Sequence, residues 1–280
     1  MQLNGNSHEN SFATGMIGKS EKLQRTGVAR ALSKLGYCSR SKAFELVRAG
    51  KVRLNGKLVR DPETPVLMEK DQIEVGGRQI KAAERAYLMM NKPRGVVTTA
   101  DDEKGRRTVY SLLPEETPWV APVGRLDMAS EGLLVLTNDS EWGAGIAAPE
   151  SRVEKTYHVQ IGAVAGPELL ERIEAGVTDK DGEFLSVKRV GVLRSGSKTS
   201  WLEIVLDEGK NRHIRRMMAE LGIEVLRLVR VGIGGLELGN LPKGKTRELS
   251  REEVETLTLE TFSPQRTQRS PRKPGGNVSR

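Results

Sequence analysis

The sequence predicts an α+β fold in two folded units: a small domain of two helices leading into a sheet, then a larger mixed domain with a largely antiparallel sheet. Three observations carry this. The 280 residues exceed one typical domain. Helical spacing followed by hairpin signals is confined to residues 25–80. Beyond residue 87 the strand-like runs do not alternate regularly with helices, which argues against a doubly wound parallel sheet.

The elements follow in order. Residues 1–24 are rich in Asn, Ser and Gly and read as a disordered tail. In residues 25–80, Val28, Leu32 and Leu35 recur at helical spacing and stop at Gly36, a C-cap signal. Ser39 is the expected N-cap of a second helix carrying Phe44, Leu46 and Val47 and ending at Gly50. Lys51 to Leu54 alternates like a strand, Asn55-Gly56 is the strongest short hairpin signal, and Leu58-Val59 begins the return strand. Gln72 to Val75 followed by Gly76-Gly77 adds another strand and turn. Arg40, Lys42, Arg48, Lys51 and Arg53 gather around the second helix and make the module basic. Residues 81–86 form a short polar linker. In residues 87–262 strands are expected at Tyr87 to Met90, Gly132 to Thr137, Lys155 to Ile161 and Trp201 to Leu206, and helices at Pro167 to Glu174 and Asn211 to Leu221. Residues 263–280, with five basic residues and no acid, read as a disordered basic tail.

Composition excludes several function classes. Lys and Arg number 45 against 37 acids, a net charge of +8, so polyanions are the natural partners. The one cysteine, Cys38, cannot form an internal disulfide and fits a reducing compartment. No apolar run approaches the roughly 20 residues that cross a bilayer, and the N-terminus lacks a signal-peptide core; a cytoplasmic protein without membrane contact is expected. There is no phosphate loop and no dinucleotide glycine fingerprint, so no cofactor is expected. His8, His158 and His213 are scattered, and no Cys/His cluster has metal-ligand spacing. Trp119, Trp142 and Trp201 read as packing groups.

The stretch with most chemistry is Val123-Gly124-Arg125-Leu126-Asp127, followed by Ser130-Glu131-Gly132 and the apolar run Leu133 to Leu136. Gly124 permits an unusual turn, and the apolar run must be a buried strand. Asp127 then sits on a loop anchored to rigid structure. By itself such an Asp is ordinarily a cap or turn residue. Later, Ile214, Met217, Met218 and Leu221 share one helix face, while Arg212 and Arg216 project from the other towards solvent or phosphate. Arg215 lies at the boundary, where a guanidinium can pair with a buried carboxylate.

Two resemblances sharpen this. Ala31-Leu32 through Gly36, Ser39 to Ala43, Val47 to Val52, Leu54-Asn55-Gly56 and Asp71-Gln72-Ile73 resemble the RNA-binding module named after small-subunit ribosomal protein S-four. The resemblance implies that the helix pair, with Arg40, Lys42, Arg48, Lys51 and Arg53, docks on structured RNA. The Gly124 to Asp139 stretch, with Asn91-Lys92-Pro93-Arg94-Gly95, Lys155-Thr156-Tyr157 and Glu208 to Met217, is similar to the RsuA/RluB/RluE/RluF family of ribosomal pseudouridine synthases. Together the two cover roughly residues 25–250. The second implies that Asp127 is the catalytic carboxylate and that Tyr157 stacks on the base. Arg215 is expected to partner Asp127, with Arg212 in reserve. Arg125, Lys92, Lys210, Arg212 and Arg216 are the expected RNA contacts of the catalytic domain. The segment Thr98 to Pro114 looks more like the large-subunit enzymes, which favours 23S over 16S rRNA.

The implied reaction breaks the N-glycosidic bond of uridine, turns the uracil and rejoins it through carbon, with no redox change. The expected partners are ribosomal RNA or ribosome assembly intermediates, met by a monomer. Two other readings stay open: an RNA-binding or assembly factor without the reaction, and a glycosidic hydrolase, which would need a second carboxylate such as Glu131 or Asp139.

Overall fold

The computed structural model describes residues 25–262, so the two tails lie outside it. The N-terminal module is ordered by local signals. Helices α1 (Val28–Lys34) and α2 (Arg40–Arg48) pack together, with Gly36 at φ 72° ending the first. The Ser39 hydroxyl caps the second by accepting from the Lys42 amide at 3.1 Å. Strands β1 (Thr26–Gly27) and β4 (Pro65–Val66) pair with each other. A four-stranded sheet runs in the order β3-β2-β5-β6, made of β2 (Val52–Leu54), β3 (Lys57–Val59), β5 (Ile73–Val75) and β6 (Arg78–Gln79). Its two hairpins turn at Asn55-Gly56 and Gly76-Gly77. All four turn residues have positive φ, as a two-residue turn matched to strand twist requires.

The linker is not a free tether. The Ala83 amide donates to Leu35 O, and Asn138 bridges to the chain on both sides of Arg85, through Glu84 O (2.7 Å) and the Ala86 amide (2.9 Å). Lys34 pairs with Glu141 across the two units.

The larger domain is built on a nine-stranded sheet of mostly antiparallel strands, which makes the fold α+β. Its main order is β13 (Arg189–Ser195), β14 (Ser200–Leu206), β10 (Lys155–Ile161), β15 (Val225–Ile233), β9 (Glu131–Thr137), β7 (Tyr87–Lys92) and β17 (Thr246–Glu248). Strand β8 (Ala121–Val123) pairs with β9, and β16 (Leu236–Glu237) with β15. A small separate pair joins β11 (Val177–Thr178) and β12 (Phe184–Leu185). The helices are α3 (Ser140–Ala147), α4 (Pro167–Ala175), α5 (His213–Glu220) and α6 (Arg251–Phe262).

The apolar run of β9 is explained by burial on both faces. Leu133 and Val135 meet Trp142 and Ile146 of α3 and Leu257 of α6, whereas Leu134 and Leu136 meet Val96, Val109 and Val120. All four β9 residues are fully buried, worth roughly 2 kcal/mol each. A separate core joins Val159, Ile161, Leu202 and Ile204 to Ile173 of α4 and Met217 and Met218 of α5.

One pairing between strands of this sheet is parallel. Strands β15 and β9 meet only at Val229 with Glu131 and Arg230 with Gly132. Gly132 has φ 103°, and a Cβ there would overlap the Arg230 carbonyl and lie 2.8 Å from its amide nitrogen. No other residue type fits that approach.

Candidate active site

The loop between β8 and β9 carries Asp127, and five successive backbone carbonyls of it are held by donors from elsewhere. Leu126 O accepts from the Thr98 hydroxyl at 2.8 Å and Met128 O from the Gly95 amide at 2.7 Å. Lys92 Nζ donates to Asp127 O (3.1 Å), Ser130 O (2.9 Å) and Pro93 O (3.2 Å). Arg215 Nη2 donates to Ala129 O at 3.2 Å. Gly124, at φ 72°, starts the turn, and Leu126 is buried beneath it. The backbone is fixed while the Asp127 side chain stays exposed.

Asp127 lines a cleft of about 300 Å³ between the C-terminal end of α3 and the N-terminal end of α5. Its floor comes from the sheet, where Lys155 and Tyr157 project at alternate positions of β10 and Arg230 pairs in register with Tyr157. Arg125, Lys210 and Arg212 stand at its walls. Burial pushes the Lys155 ammonium below its ordinary range, and the charge of Arg230 adds to this. Burial also lowers Arg215, against which the nearby Asp127 charge works. Cations so outnumber the carboxylates around Asp127 that the cleft suits an anionic polymer with one base drawn inside.

Several expected residues stand elsewhere. Lys92 is fully buried, so its ammonium clamps the loop and offers nothing to RNA; burial pulls its pKa down to about 8. A lysine at a strand end looks exposed in sequence because its carbonyl partners come from a loop 35 residues away. Arg216 is not free for phosphate: its guanidinium is bound to Asp179 and Glu183. Arg215 makes no ion pair with Asp127, since its donors reach the carbonyls of Ala129 and Val225. Arg212 adopts a left-handed backbone at φ 49° as the residue before α5 and lines the cleft. Lys210 lines it too, tied to Phe184 O and Glu208.

In the N-terminal module Arg40, Lys42, Arg48, Lys51 and Arg53 are all exposed; Lys42 pairs with Glu45 and Arg53 donates to Gly56 O. Lys155 and Arg230 were missed as cleft residues. The signal for Lys155 was its position two before Tyr157 on one strand face; Arg230 had none without β15.

The two carboxylates that a hydrolase reading would recruit stand outside the cleft, and Glu208, which lines it, is paired with Lys210. Glu131 is buried and bound by Arg227 and Lys243, which hold its carboxyl below the usual range although burial works the other way. Asp139 caps α3 and accepts from Arg85 and the Tyr87 hydroxyl. Neither lines the cleft. No helix among the described residues is long and apolar enough to cross a membrane.

Comparison with known proteins gives the same picture. Residues 86–220 match the family model described as RNA pseudouridylate synthase, and residues 28–73 match the S4 domain. The ribosomal large subunit pseudouridine synthase B of Bacillus subtilis is 37% identical over 238 residues, covering 85% of this chain and 95% of that protein. An uncharacterized RNA pseudouridine synthase of Rickettsia prowazekii is 38% identical over 236 residues, covering 84% of this chain and 99% of its own. A crystal structure of a pseudouridylate synthase superposes with a TM-score of 0.59 at 27% identity, covering 83% of this chain and 99% of that one. An S4 domain followed by a catalytic domain around a rigidly held Asp127 loop places the chain in the RNA pseudouridine synthase family.

Proposed function

We propose that the chain isomerises uridine to pseudouridine in ribosomal RNA, with 23S rRNA as the substrate and the Asp127 carboxylate as the catalytic group. The observation that carries the reading is the Asp127 loop: its backbone carbonyls from Leu126 to Ser130 are all held, so the carboxylate is presented to the cleft at a fixed place. Tyr157 on the floor faces the space that a uracil leaving its stack would enter, and stacking there offsets unstacking by ~1–3 kcal/mol. Arg125, Lys210 and Arg212 serve the flanking phosphates. Arg40, Lys42, Arg48, Lys51 and Arg53 of the S4 domain grip a second stretch of the same RNA. Arg215 acts on the loop through Ala129 and adds positive potential beside Asp127.

The chemistry balances without a cofactor. The C1′–N1 bond breaks with its electron pair on N1, C5 bonds to C1′, and the C5 proton is lost while N1 gains one. Asp127 works as nucleophile or as base. The large-subunit assignment is supported by the Bacillus subtilis relative and by the Thr98 to Pro114 segment. Unmodified rRNA transcripts or assembly particles are incubated with the wild type and with Asp127→Ala, then mapped with carbodiimide. One new stop, or a small cluster, in 23S rRNA with wild type only is expected. RNA binding by both proteins with no modification by either would instead establish a binding factor.

A further inference from the structure

The sheet has a second worked face. Strand alternation sends Val159, Leu202 and Ile204 towards α4 and α5, so His158, Gln160, Trp201 and Glu203 point the opposite way. There the register lines up Arg194, Trp201, Gln160 and Arg227 in one row across β13, β14, β10 and β15. The Arg194 guanidinium lies 5.2 Å from the centre of the indole and that of Arg227 5.4 Å. A cleft of about 360 Å³ opens beside the row, bounded also by His158, Leu193 and Val229.

The charges are unequal in how they are used. Arg227 is committed to Glu131, and Glu203 faces His158 at 3.7 Å. Arg194 is exposed and, among the described residues, has no carboxylate within ion-pairing distance. An open antiparallel sheet presenting one aromatic ring between guanidiniums, with one cation unspent, is the composition of a nucleobase-stacking surface. A packing tryptophan would be covered, and this one is only half-buried.

We propose that this face is a second RNA-binding platform, on which an unpaired nucleotide of the substrate stacks against Trp201 while its phosphate meets Arg194. The proposal rests on the reading of ribosomal RNA as substrate and extends it to the side of the sheet away from Asp127. An acidic protein segment is the competing occupant; a half-buried indole beside the unspent Arg194 guanidinium favours a nucleotide, which brings a π-face and a phosphate together.

The test uses a protein-free 23S rRNA transcript containing 4-thiouridine, irradiated with the full chain and mapped by peptide mass spectrometry. Crosslinks are expected in residues 194–201 in addition to the cleft. Arg194→Glu is expected to weaken transcript binding on the order of tenfold and to reduce the salt slope by about one. It should raise KM and leave kcat unchanged. Trp201→Ala should act likewise, while Arg172→Glu, the same charge change at an exposed position of α4, should alter neither constant. Absence of crosslinks there, or an Arg194→Glu protein that binds as wild type does, overturns the proposal. A loss seen with ribosomal particles but not with bare transcript assigns the face to a protein partner and overturns it equally. Crosslinking and affinity need no turnover: if the wild type modifies no uridine while Arg194→Glu still loses affinity, the enzymatic reading fails and the platform stands.

Discussion

Replacing Lys92 by methionine separates what the buried ammonium does for the fold from what it does for the site. The side chain is fully buried and gives its three N–H groups to Pro93 O, Asp127 O and Ser130 O. Hydrogen bonds to a charged partner contribute about 1.5–3 kcal/mol each. Against that, the fall from an ordinary 10.5 to about 8 is the net of burial, which disfavours the charged form, and of the Asp127 and Glu131 charges, which favour it. At about 1.36 kcal/mol per pH unit this is about 3 kcal/mol. Methionine fills similar volume, removes both terms and leaves three carbonyls without this donor. The expected loss of stability is therefore modest, about 2 kcal/mol by urea denaturation.

The rate should suffer far more, because the carbonyl released is that of Asp127 itself. A displacement of about 1 Å at a reacting group costs about 100-fold, and single-turnover kinetics on the rRNA transcript would read it. The sign with pH adds a check. The folded pKa lies below the unfolded one, so the unfolded chain holds the extra proton between about pH 8 and 10.5. Wild-type stability should gain across that window relative to Lys92→Met, and lose the gain as pH falls through 8. Activity should move the other way, since the neutral amine has two N–H groups for three carbonyls. A folded Lys92→Met enzyme with wild-type kcat would refute the reasoning, and so would one that fails to fold at all.

Gly132→Ala combines a positive φ with an overlap against the Arg230 carbonyl. It should cost about 4 kcal/mol, seen as a lowered denaturation midpoint; a change below 1 kcal/mol would mean that β9 and β15 are not in contact as described. Arg216→Ala should lower thermal stability by exposing Asp179 and Glu183 to each other, while leaving RNA affinity within about twofold. Arg212→Ala should do the reverse, reducing the salt slope of binding by about 0.9 with little change in melting. Equal effects of the two on affinity would return Arg216 to the RNA surface.

What the sequence makes legible is what local chemistry decides. The Ser39 cap, the Asn55-Gly56 and Gly76-Gly77 turns and the apolar run of β9 were all readable because each depends on a few adjacent residues. Helix α6 could have been found the same way: Ser250 and Glu253 form a reciprocal cap, Glu253 accepting from the Ser250 amide and Ser250 Oγ from the Glu253 amide. Helix α3 hides behind two glycines, although Asp139 caps it. The roles of Lys92, Arg215 and Arg216 were not readable. Each cation has partners that only the fold delivers, and one positive charge looks like another until the carbonyl or carboxylate it meets is in place. The same holds for the back of the sheet, where Arg194, Trp201 and Arg227 become neighbours only through strand register.

The parallel contact between β9 and β15 gives the domain an uneven stiffness. Antiparallel pairing ties β10, β13, β14 and β15 into one plate over six or seven residues per pair, and β7, β8 and β9 into another. The plates are riveted by two residue pairs at Gly132 and Arg230. Tyr157 belongs to one plate and the Asp127 loop hangs from the other, so the gap across the cleft is set where only two residue pairs join the plates. Side chains carry what the main chain does not: Met89, Leu133 and Val135 of one plate pack with Val229 and Ile233 of the other, so the width of the space for a base rests on that shared core, with Gly132 as its fixed point.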